Sequence, residues 1–83
     1  MGFFRKFAQS SDLVGGMAER LGIDMTARML RDPEIEAPRF RSMALRCAAC
    51  AGQAGCAQLQ AENAHLDAPP GYCRNHRALM SLA

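Results

Sequence analysis

The sequence predicts an all-α domain, a small bundle of four to five short helices stapled by one metal centre. Three observations lead there. No stretch alternates apolar with polar residues over the length of a strand, and Val, Ile and Thr are rare. Alanine and six methionines supply much of a 49% hydrophobic content that includes no tryptophan, which suits small helices packed closely. Four cysteines lie between positions 47 and 73 of a chain of 83 residues. A core of that size often needs a metal, disulfides or a partner chain to hold it. The length gives a single domain, residues 1–83, in which residues 47–73 form the cysteine ligand region.

Taken in order, residues 1–9 read as an N-terminal arm whose Phe3, Phe4 and Phe7 pack onto the domain. Ser10-Ser11-Asp12 is a good helix start. Leu13, Val14, Met17 and Leu21 follow at helical spacing, and Gly22 stops the helix. Gly15 and Gly16 either weaken it or let a neighbour approach closely. Asp24 caps a second short helix carrying Met25, Met29 and Leu30, and Asp32-Pro33 ends it. Residues 33–38 read as a link or a short acidic turn, with Glu34 and Glu36 solvated, and Pro38 opens a third helix. On that helix Phe40, Met43, Ala44 and Cys47 share the buried face. A break at Ala51-Gly52-Gln53 precedes a fourth helix from near Gly55, carrying Cys56, Leu59 and Gln60. Residues 63–70 form a loop. Gly71 precedes a last helix with Tyr72, Leu79 and Leu82 as its buried positions.

The formal net charge of +2 is too small to mark a nucleic-acid binder. Its distribution is more telling. The signs nearly balance up to Glu36, whereas Arg39, Arg41, Arg46, Arg74 and Arg77 then face only Glu62 and Asp67. The cysteine-bearing half is thus the basic half. A centre held by four thiolates carries negative charge that nearby arginines offset. No segment is apolar enough to span a membrane, and the first residues lack the apolar run of a secretory signal. The compartment expected from this is the cytoplasm, where clustered cysteines mean metal or catalysis more often than disulfides.

The cysteine spacing is C-x2-C-x5-C-x16-C. Cys47 and Cys50 present two sulfurs from one turn of backbone, Cys56 follows a glycine-containing turn, and Cys73 closes the site behind a stiff Pro69-Pro70-Gly71-Tyr72 approach. A [4Fe-4S] cluster ranks first as the occupant. The C-x2-C-x5-C part looks like three of the four ligands in the helical cluster loop of the endonuclease III glycosylases, although the likeness covers ten residues and brings no DNA-repair machinery with it. A four-iron cube also tolerates irregular spacing, because its corners lie well apart. Zinc is the alternative: Cys47, Cys50, Cys73 and His76 would form a C-x2-C…C-x2-H set that leaves Cys56 spare. In the cluster reading His76 is an ordinary helix-surface histidine, and His65 is a loop residue in either. Disulfides rank third.

Residues 11–83 resemble a small, mostly alphaproteobacterial family of four-cysteine proteins known only as a domain of unknown function. The resemblance rests on "RLGID", on "RCAAC" followed by "GC", and above all on Ala68-Pro69-Pro70-Gly71-Tyr72-Cys73-Arg74-Asn75. It implies that Cys47, Cys50, Cys56 and Cys73 belong to the family's cysteine pattern and that His76 does not. It implies no activity.

Three classes of function compete. The first is an iron–sulfur protein for electron transfer or redox sensing, with a protein redox partner or regulator docked by the arginines near Cys47 and Cys73. The second is a zinc-stapled adaptor for a protein partner. Nucleic acid is disfavoured, because aromatic residues free for base stacking are missing near Arg39, Arg41 and Arg46, Phe40 being read as buried. The third, an enzyme, is rejected: there is no nucleophile–base pair, phosphate loop or paired carboxylates. A homodimer stays open, since short Met- and Ala-rich helices can leave an apolar face uncovered. Replacing Cys56 with Ser separates the two metal sets. Metal content falls sharply if all four cysteines are ligands, and stays unchanged if His76 completes a zinc site.

Overall fold

Phe7, Ser10, Val14, Met17 and Ala18 fall at helical spacing and form one continuous inward stripe. The chain is helical along the whole of it. The structure, a computed structural model, describes residues 2–83 and opens with α1, Gly2–Arg20. Ser10-Ser11-Asp12 therefore does not start the helix. Ser10 is fully buried and its hydroxyl accepts a hydrogen bond from Gln53 (3.0 Å), so it serves packing instead of capping. Nor is there an arm folded back on the domain. Phe3 and Phe4 are 64% and 72% exposed, and the Phe3 ring contacts those of Phe4 and Phe7 within the first turns of α1.

Gly22 ends α1 as its sequence position suggests. It takes a positive φ of 80°, which only glycine adopts without strain. Gly22 N–H then donates to the Glu19 carbonyl (3.1 Å) and Ile23 N–H to the Ala18 carbonyl (2.9 Å), a Schellman cap whose apolar contact joins two core residues. The short α2, Met25–Arg31, is capped by Asp24, whose Oδ1 accepts from Ala27 N–H at 2.9 Å.

The third helix begins five residues before Pro38. In α3, Pro33–Ala48, Pro33 occupies the first turn and Glu34 and Glu36 lie beside the positive end of the helix dipole. Pro38 is inside the helix, where the single bond it forgoes would have run to the Glu34 carbonyl. Glu36 is not a solvated side chain. It is buried, and its Oε1 accepts from Arg39 Nη1 at 2.9 Å and stands 3.6 Å from Arg28 Nη1, tying α2 to α3. The remaining helices are α4, Gln53–Glu62, and α5, His76–Leu82. There are no strands among the described residues.

Met17 and Val14 of α1, Met43 of α3 and Leu79 of α5 meet with Ile23 in a small core. The molecule measures 34 × 32 × 19 Å, and its thin dimension is two layers of helices, each about 10 Å across. Among the described residues no helix is long and apolar enough to cross a membrane.

Polar clamps hold α4 against α1. Arg20 Nε donates to the Gln60 and Asn63 carbonyls at the end of α4, both at 2.9 Å. Gln60 Nε2 donates to the Leu13 carbonyl at 2.9 Å. Gly16 makes room for this, because a Cβ there would collide with the Gln60 side chain, whereas a Cβ on Gly15 meets nothing. The two neighbours should thus respond oppositely to alanine. Gly15→Ala should raise unfolding stability by up to about 1 kcal/mol through helix propensity. Gly16→Ala should lower it by about 1–2 kcal/mol, because displacing Gln60 breaks buried hydrogen bonds. Paired urea titrations of the two variants measure the difference.

Candidate metal centre

Three separate pieces of chain bring the four cysteines to one pocket. Cys47 lies in the last turn of α3, and Cys50 follows just past its Ala49 cap. Cys56 is in the first turn of α4. Cys73 closes a turn before α5 in which its N–H donates to the Pro70 carbonyl at 3.0 Å. All four line a small pocket whose walls include Leu13, Gln53, Tyr72, Arg74 and Asn75. No disulfide joins any of them.

Each sulfur faces an N–H group. Gly52 N–H donates to Cys50 Sγ at 3.3 Å. Gln53 Nε2 lies 3.7 Å from Cys47 Sγ while also bonding the Cys47 carbonyl (2.7 Å) and Ser10 Oγ. Gln60 Nε2 stands 3.5 Å from Cys56 Sγ. At Cys73 the neighbouring N–H is that of the Asn75 backbone. Burial pushes the Cys47 thiol above its ordinary value, opposed by the hydrogen bonds from Gln53 and Ser10. Burial likewise raises Cys73, and the Asn75 N–H pulls the other way. Cys50 and Cys56 add to the upward push on both, as neighbouring thiolates must.

The donor set, four thiols in an N–H-lined pocket, has the chemistry that thiophilic metals take. Among the described residues no three His, Cys, Asp or Glu side chains are arranged around a point that could hold a single ion. Asn75 adds an unmet group, for its buried Oδ1 has no partner among the described residues, while its Nδ2 is fixed on the Met43 carbonyl at 2.7 Å.

His76 is not among the residues lining the pocket. It is half-buried, and its Nδ1 donates toward the Pro69 and Pro70 carbonyls at 3.1 and 3.3 Å, so it braces the loop that carries Cys73. His65 is an exposed loop residue beside Asp67. Tyr72 is 50% exposed and not buried. Its ring lies across Gly52, where a Cβ would stand 2.5 Å from two ring carbons, and its hydroxyl lies over Gly55. The ring thus forms one wall of the pocket.

Sequence reasoning missed the three polar side chains that serve the thiols: Ser10, Gln53 and Gln60. Two of them carried a signal. Gln53, Cys56 and Gln60 are spaced i, i+3, i+7, so the glutamines share one face of α4 with a cysteine.

The chain belongs to the family of unknown function DUF6455, which it matches over residues 1–83. No curated protein and no solved structure matches it.

Gln53 carries the most connections, since its Oε1 also accepts from Lys6 Nζ at 2.8 Å. Gln53→Ala should therefore cost about 1–3 kcal/mol in urea unfolding, from the buried Ser10 hydroxyl and Cys47 carbonyl left without a donor. A loss below about 0.5 kcal/mol would mean that the clamp is not needed for the fold.

Proposed function

We propose that this is a small iron–sulfur protein in which Cys47, Cys50, Cys56 and Cys73 hold one [4Fe-4S] cluster, and that it acts in electron transfer or redox sensing and not as an enzyme. One observation carries the reading: thiols from three chain segments line a single pocket, and an N–H group meets every sulfur. Such donors favour thiolate over thiol, and around a cluster they set its potential. Burial disfavours the thiolates of Cys47 and Cys73, a cationic centre would balance that cost, and Arg74 at the pocket wall contributes positive charge as well.

The choice of cluster over zinc has two supports. The pocket includes Cys56 and omits His76, which favours the four-cysteine set over C-x2-C…C-x2-H. A cube also asks less convergence of its ligands than one tetrahedral ion, whose sulfurs all lie about 2.3 Å from the metal. The bound cluster would supply reversible one-electron chemistry. The chain's own part is to hold the thiols, aim N–H groups at them and limit water through the Tyr72 ring and Leu13.

The test is an absorption spectrum of protein purified without oxygen, with iron, sulfide and zinc assayed on the same sample. A brown protein with about four irons and four sulfides per chain is expected. A colourless protein with one zinc per chain overturns the cluster and leaves a zinc-stapled adaptor in its place.

A further inference from the structure

Two open grooves between α3 and α5 run into each other. Arg28, Arg39 and Arg46 border the first, and Arg46, Arg74 and Arg77 the second, with Arg46, Ala78 and Ser81 common to both. Joined, they form one groove edged by five guanidinium groups. Arg39 and Arg46 are two helical turns apart, so the groove runs for at least about 10 Å. Its near end adjoins the cysteine pocket, since Arg74 lines both.

The charge in this groove is poorly balanced. Glu36 engages Arg39 and Arg28 at the far end. Among the described residues, Arg46, Arg74 and Arg77 form no ion pair. An arginine on a helix surface is commonly met by an acid three or four positions away. For Arg46 and Arg77 those positions hold Ser42, Met43, Ala49, Cys50, Cys73, Arg74, Met80 and Ser81, with no acid among them. Three exposed cations on one surface repel each other until an anion joins them, and the guanidinium fork is shaped for carboxylate or phosphate oxygens.

We propose that the α3–α5 groove docks an acidic segment of a partner protein, with Asp or Glu carboxylates set against Arg46, Arg74 and Arg77. The groove is longer than one phosphate and spans about three residues of extended chain. No aromatic side chain lines it to stack a nucleobase. The docking is independent of what the cysteines hold, yet it brings the partner to the edge of their pocket.

Fluorescein-labelled hexaglutamate, titrated into the full-length protein and followed by anisotropy, tests this. Binding should saturate, weaken as salt rises, and fall about two- to five-fold for each arginine lost in Arg46→Ala and Arg77→Ala. Arg5→Ala and Arg31→Ala, outside the groove, should bind as the parent does. Iron and zinc assayed on the same samples keep a failure of the groove distinct from a failure of the metal centre. Equal binding by the Arg46→Ala/Arg77→Ala double variant overturns the proposal. So does an oligonucleotide or inorganic pyrophosphate that displaces the peptide at concentrations well below those at which unlabelled hexaglutamate does.

Discussion

The buried amides of Gln53 and Gln60 join the packing of the helices to the geometry of the thiols. Each reaches from α4 to a polar group of α1, Ser10 Oγ in one case and the Leu13 carbonyl in the other, and each also faces a cysteine sulfur. A buried amide without partners is costly, so these contacts fix the position of α4 as firmly as an apolar contact would. The constraint matters here because the apolar core is small. With so few fully buried hydrophobic residues, hydrogen-bonded clamps supply much of the specificity of the arrangement.

Through those clamps the thiols inherit their surroundings. Arg20 and Gly16 hold the far end of α4, Gln53 anchors its start to α1 and to Cys47, and Asn75 anchors the Cys73 loop to α3 through the Met43 carbonyl. Cys47, Cys56 and Cys73 are thereby referred to parts of the fold distant in sequence. Burial makes the thiolate form of Cys47 and Cys73 unfavourable, and the N–H groups only partly counter it.

The helical class, the Gly22 stop, the Asp24 cap and the cysteine quartet were legible in the sequence, because each depends on local chemistry at a fixed spacing. Boundaries that depend on distant partners were not. Ser10 looks like a helix cap until Gln53 is placed beside it. Pro38 looks like a helix start because the earlier Pro33 already accounts for the end of α2, and only tertiary packing reveals that α3 runs through Pro38. Glu36 reads as solvent-facing because its cations, Arg28 and Arg39, converge on it only when α2 lies against α3. Tyr72 was read as a buried helix residue, yet the last helix starts at His76 and the ring settles on glycine backbone beside the thiols.

That placement of Tyr72 gives the molecule a built-in optical probe. The chain has one tyrosine and no tryptophan, so nearly all of its near-ultraviolet emission arises at the wall of the cysteine pocket. Whatever enters the pocket or leaves it does so against the sole useful fluorophore, with no competing signal from the rest of the fold. Occupancy, thiol oxidation and rearrangement of the Cys73 loop can therefore be followed in the native chain without a label.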